Sequence, residues 1–168
     1  MKKIRICLGD LNHNRHFYNY GVPLNVGYIS TTLEQRFGNA VEHSIYKFAD
    51  DLISALKTSP DILALSNYGW NVNLNRAMIQ IAKDINPDIL IVMGGPGIGK
   101  LPEEIKEFLT IFPIDMYVIN DGEVGFCEII EYILGKWPCS IKETIFRSGI
   151  TLPNTAYLEN ETNRLILG

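Results

Sequence analysis

The chain has 168 residues, 46% of them hydrophobic and 20% charged, with a net charge of −4. That length predicts one domain with a sizeable core, and an acidic balance without a dense Lys/Arg stripe argues against a nucleic-acid partner. The apolar stretch in Met1 to Leu8 is too short for a signal h-region or a membrane span, so the expectation is a cytoplasmic protein with no membrane partner.

Short β-rich runs alternate with helical periodicity five times. Ile4 to Leu8 is the first predicted strand, ending at Gly9-Asp10, and a polar loop with His13 and His16 runs from Leu11 to Val22. Val26, Ile29, Leu33 and Phe37 recur at helical spacing behind Pro23, until Gly38-Asn39 stops the helix. Ala40 to Tyr46 is the second strand and Asp50 to Lys57 the second helix, its two aspartates complementing the helix dipole.

The third strand is Ile62 to Ser66, introduced by Pro60-Asp61; Asn71 is expected to cap a third helix with Leu74, Met78, Ile81 and Ile85 on its core face. Pro87-Asp88 repeats the lead-in before a fourth strand, Ile89 to Met93. A glycine-rich turn and a fourth helix through Ile105, Phe108, Leu109 and Phe112 follow. Met116 to Ile119 is the fifth strand, and Phe126, Ile129, Ile130 and Ile133 mark the fifth helix.

Strands that are apolar throughout and separated by helices predict an α/β fold, a doubly wound five-stranded parallel sheet of Rossmann-like, flavodoxin-like order with helices on both faces. The predicted domain spans residues 1–135. Residues 136–168 read as a C-terminal extension or linker toward an absent domain, with possible short strands at Ile141 to Arg147, Ala156 to Leu158 and Leu165 to Leu167. Cys7, Cys127 and Cys139 have no C-x-x-C spacing, and the first two sit on apolar faces as buried hydrophobes. His43 reads as structural.

Ligands of an open parallel sheet bind beyond the carboxyl ends of its strands. The segments there are Gly9 to Val22, Ser66 to Asn71, Gly94 to Lys100 and Asn120 to Glu123. Gly94 to Lys100 satisfies G-x-x-x-x-G-K, but Leu101 stands where a P-loop needs Ser or Thr for magnesium, which excludes ATP hydrolysis. Two readings stay open: glycines letting backbone approach a bulky ligand, and a tight turn with no ligand. No G-x-G-x-x-G follows the first strand, arguing against a nicotinamide site, and Ser66 stands where a phosphorelay receiver wants an aspartate.

Four pieces in order resemble the N-terminal cobalamin-binding domain of cobalamin-dependent radical SAM enzymes. They are Val22-Pro23-Leu24-Asn25-Val26-Gly27-Tyr28-Ile29, Pro60-Asp61-Ile62-Leu63-Ala64-Leu65-Ser66, Met93-Gly94-Gly95-Pro96, and Asp115 through Asn120-Asp121-Gly122-Glu123. The resemblance implies that cobalamin's nucleotide tail enters beside the sheet and its corrin lies over the strand ends. Ser66 would then serve the tail and Gly94-Gly95 would line its channel. The implied cofactor-binding set is Asp10, Asn12, Ser66, Asn67, Tyr68, Gly94, Gly95, Pro96, Asp121, Gly122 and Glu123.

Cobalamin carriers with Asp-x-His-x-x-Gly ligate cobalt through that histidine, whereas Asp10-Leu11-Asn12-His13 places it one residue late with no following glycine. His13 and His16 are therefore not expected to ligate a metal, and the lower axial ligand stays open. No Cys-x-x-x-Cys-x-x-Cys is present, so the iron–sulfur cluster and S-adenosylmethionine would belong to a missing radical SAM barrel, in cis or in trans. The chain is expected to serve a methyltransferase-like enzyme without being catalytic alone. The alternatives are a degenerate domain acting as a docking or substrate-recognition surface and a small-nucleotide-binding module.

Overall fold

The computed structural model describes residues 3–13, 21–136, 142 and 149–168. In chain order the elements are β1 (Ile4–Gly9), α1 (Leu24–Phe37), a 3₁₀ turn (Gly38–Ala40), β2 (Val41–Tyr46), α2 (Ala49–Leu56) and β3 (Ile62–Ser66). There follow α3 (Val72–Ile85), β4 (Leu90–Gly94), α4 (Pro102–Ile111), β5 (Met116–Val118), α5 (Gly122–Lys136), β6 (Thr155–Leu158) and β7 (Leu165–Leu167). The strands form one sheet in the order β2-β1-β3-β4-β5-β6-β7. The first five pair in parallel, while β6 and β7 join antiparallel.

The five parallel strands and their order match the sequence expectation, but the sheet has seven strands, not five. Two candidate tail segments supply the difference. Ala156 and Tyr157 on β6 are fully buried, and the Tyr157 hydroxyl donates to the Ile150 carbonyl at 2.7 Å. β6 therefore covers the free edge of β5, an edge that would otherwise expose unpaired backbone groups. Apart from Lys142, the segment Ile141 to Arg147 lies outside the described residues, as does Cys139.

Side-chain alternation along the strands builds two cores. Ile62 and Ala64 of β3, with Leu90 and Val92 of β4, pack under α1 and α5 against Val26, Leu33, Phe126 and Ile130. Leu63 and Leu65, with Ile91 and Met93, pack on the other face under α2, α3 and α4 against Leu52, Ile79 and Leu109. Burial on both faces is why these strands carry no polar alternation. Each fully buried aliphatic side chain contributes roughly 1.5–3 kcal/mol.

Aspartates preceding strands act across the sheet. Asp61 accepts the Arg5 amide at 2.8 Å, and Asp115 accepts the Ile91 amide at 2.7 Å, so each satisfies a donor on the neighbouring strand. Asp88 does not repeat this: it is exposed, and its own amide donates to Asn86 Oδ1. Asn71 occupies the position before α3, but its side chain makes no capping bond to the helix. It turns back instead, accepting the Tyr68 amide at 2.9 Å and donating to the Ser66 carbonyl at 3.1 Å. His43 is structural, with Nε2 at 2.9 Å from Ser30 Oγ, and Cys7 and Cys127 are buried free thiols.

Candidate cofactor site

Strand order reverses between β1 and β3, and the crevice at their carboxyl ends opens into a cavity of about 230 Å³ between α1 and α5. The strand ends form its floor: Leu8, Ala64, Val92, Gly94 and Val118. Ile29 of α1 and Phe126 of α5 make apolar walls, while Asn25, Ser66, Tyr68, Asn120 and Glu123 bring polar groups to the same space. Even-numbered residues of β3 face this side, which delivers Ser66 to the cavity two positions beyond Ala64.

The Ser66 hydroxyl donates to Asp10 Oδ1 at 2.6 Å, and the Ser66 carbonyl accepts from Asn71 and Asn75 at 3.1 and 2.8 Å. This part of the loop is thereby held from three directions. The Asn25 carboxamide donates to the Tyr68 hydroxyl at 3.2 Å, tying α1 to the loop after β3. The Tyr68 ring stacks on Trp70 with centroids 4.4 Å apart, and Trp70 itself is 60% exposed.

Asn67 faces the other way. It is buried, and its Nδ2 donates to the Gly97 carbonyl at 2.9 Å and to the Tyr117 hydroxyl at 3.2 Å. Burial pushes the Tyr117 phenol up to about 12, so it stays a protonated donor, and it donates to the Gly95 carbonyl at 2.7 Å. Among the described residues, Asn67 Oδ1 and Asn75 Oδ1 are buried without a hydrogen-bond partner, a cost of about 1–3 kcal/mol each.

The glycine run has mainly internal causes. A Cβ on Gly95, where φ is +117°, would lie 2.9 Å from the Asn67 carbonyl oxygen, and one on Gly97 would lie 2.7 Å from Asn67 Nδ2. These two glycines exist because the loop wraps around Asn67. A Cβ on Gly94 meets nothing nearer than Val118 at 3.4 Å, so Gly94 alone leaves floor space open. The open choice between close ligand approach and tight turn is thus divided between neighbouring residues.

Of the sequence-predicted set, Ser66, Tyr68, Gly94, Gly95, Gly122 and Glu123 line the cavity, and Asp10 joins through Ser66. Asn67 lies behind the floor; Pro96 and Asp121 are exposed outside the lining; and Asn12 is tied by its amide to the Lys47 carbonyl. Asn25, Asn120, Ile29 and Phe126 also line the cavity and stood outside that set, although Asn120 fell within the last of the four strand-end segments. Asn25 stands one helical turn before Ile29, which is the signal that would have placed it on the same face. His13 is exposed with Nε2 at 3.3 Å from the Trp70 carbonyl, and His16 lies outside the described residues. Among the described residues no cluster of three His, Cys, Asp or Glu side chains is arranged to hold a metal ion.

The donor set suits cobalamin's tail. The cavity is smaller than the roughly 300–1,000 Å³ that encloses a whole drug-sized ligand, so it fits one arm of a larger molecule. Its floor and walls are apolar, and the described lining contains neutral amides and hydroxyls with one carboxylate but no Lys or Arg. Such a lining favours an aromatic base with neutral polar edges over a polyphosphate. The family model of the B12 binding domain matches residues 14–130. This chain belongs to the B12-binding domain family. Its cofactor is cobalamin.

The B12-binding domain is 30% identical over 123 residues to the 2-(S-pantetheinyl)-carbapenam-3-carboxylate methyltransferase of Streptantibioticus cattleyicolor, covering 70% of this chain and 18% of that protein. It is 29% identical over 128 residues to the cobalamin-dependent radical SAM methyltransferase TokK of Streptomyces tokunonensis, again covering 70% and 18%. It therefore spans less than a fifth of the length of these relatives. The solved structure of the cobalamin-dependent S-adenosylmethionine radical enzyme OxsB, with aqua-cobalamin bound, shares the fold. Its TM-score is 0.68 at 16% identity, over 99% of this chain and 23% of that one.

Proposed function

We propose that this B12-binding domain holds cobalamin for a cytoplasmic cobalamin-dependent radical SAM methyltransferase, whose iron–sulfur cluster and S-adenosylmethionine belong to a barrel domain in cis or in trans. The observation that carries this reading is the slot between α1 and α5, apolar below, with Asn25, Ser66, Tyr68 and Asn120 among its lining, at the carboxyl edge of the sheet. When bound, cobalamin supplies methyl-transfer chemistry, which protein side chains alone do not. Leu8, Val92, Val118 and Phe126 exclude water from the inserted arm. Asn25 and Ser66 orient its polar edges, and Gly94 and Gly122 leave room for it. The relatives named as methyltransferases support the reaction class. No described helix is long and apolar enough to cross a membrane.

The test is incubation with hydroxocobalamin, desalting and a visible spectrum. The expected result is retained corrin absorbance near one equivalent per chain. A chain that elutes colourless overturns the proposal and leaves the docking-surface reading in its place.

A further inference from the structure

We propose that Asn67 and Tyr117 are positioning residues for the cofactor, holding the Gly94–Gly97 segment from behind at the height where Gly94 and Gly95 line the cavity. The inference rests on the cobalamin reading above. Neither residue lines the cavity, because position 67 follows the odd-numbered face of β3 and Tyr117 packs in the core under α2, α3 and α4. They reach the site through backbone. The Asn67 amide donates to the Gly94 carbonyl at 2.6 Å, its carbonyl accepts the Gly97 amide at 3.0 Å, and its carboxamide donates to the Gly97 carbonyl at 2.9 Å. The Tyr117 hydroxyl accepts the remaining carboxamide donor and donates its own O–H to the Gly95 carbonyl at 2.7 Å.

A glycine-rich loop is conformationally free, and ordering it on binding costs affinity. Asn67 and Tyr117 remove that freedom before the cofactor arrives. Two features mark the arrangement as selected for position. Among the described residues Asn67 Oδ1 is buried without a partner, and glycine stands at 95 and 97, where a Cβ would strike Asn67. Local rules are broken in this way at sites where geometry matters more than stability.

The experiment compares Tyr117→Phe with Tyr157→Phe. Both tyrosines are fully buried, and each donates its hydroxyl to a carbonyl at 2.7 Å, but Tyr157 serves Ile150, which does not line the cavity. Hydroxocobalamin affinity is titrated well below either melting temperature, and Gly97 amide exchange is followed in the apo proteins. Tyr117→Phe should weaken binding about tenfold and expose the Gly97 amide, whereas Tyr157→Phe lowers the melting temperature without changing affinity. Gly97→Ala pushes on the Asn67 carboxamide from the loop side, and a loss of affinity in this second variant is also expected. Equal affinity in Tyr117→Phe and wild type, or an equal loss in Tyr157→Phe, overturns the inference. A wild-type chain that takes up no cobalamin overturns the underlying function instead, and unchanged Gly97 exchange in Tyr117→Phe then still overturns the clamp itself.

Discussion

The Ser66 hydroxyl at the end of β3 donates to the Asp10 carboxylate just beyond β1, across 2.6 Å, spanning the two strands between which the sheet order reverses. With its proton committed to Asp10, Ser66 presents only oxygen lone pairs to anything in the cavity. In the proposed placement of the tail it acts as an acceptor. Ser66→Ala should weaken cobalamin binding by about one hydrogen bond, 0.5–1.5 kcal/mol or roughly two- to tenfold in Kd. Titration by visible absorbance measures it. Asp10→Ala should act in the same direction, because it releases the hydroxyl to rotate.

Steric blocking is best tested at Gly122. Gly95 is unsuitable, since any side chain there is strained by its φ of +117° and by the Asn67 backbone. A Cβ on Gly122 first meets Ile29 Cδ1 at 3.5 Å, an ordinary contact, and the residue lines the cavity. Gly122→Leu should abolish cobalamin retention with an unchanged far-UV spectrum and a melting temperature no lower than wild type. Full retention in a folded Gly122→Leu protein would place the tail elsewhere.

His13 is not expected to ligate cobalt from below. It stands one place later than the histidine of Asp-x-His-x-x-Gly, with no glycine following, and its Nε2 is engaged 3.3 Å from the Trp70 carbonyl. The electron paramagnetic resonance spectrum of the cob(II)alamin-loaded protein should be the same in wild type, His13→Ala and His16→Ala. A nitrogen superhyperfine splitting lost in either variant would show a protein ligand from this loop.

Burial pushes the Cys7 thiol from 9.0 up to about 11, outweighing a hydrogen bond from Tyr46. Because the folded value is raised, this stability is fully present below pH 9 and is lost as pH rises through 11, amounting to roughly 2–3 kcal/mol. Denaturant unfolding at pH 8 and pH 11 measures the loss, and Cys7→Ala should flatten the alkaline decline. At pH 8 neither Cys7 nor Cys127 should react with a thiol reagent until the protein unfolds.

Five strands, their parallel order and the edge at which the cavity opens were legible in the sequence by itself. A strand buried on both faces must be apolar at every position, as in Ile62 to Leu65, and ligands of such sheets gather at its carboxyl ends. β6 was not legible as part of the core, because Thr155–Leu158 becomes buried only by pairing with the edge of β5, a partner more than 30 residues earlier. Side-chain direction at the site was half legible. Alternation sends Ser66 and Asn67 to opposite faces whatever the fold, but nothing in the sequence says which face holds the cavity. Only the packing of α1 beside α5 decides that, and with it that Ser66 faces the cavity while Asn67 holds the loop from behind.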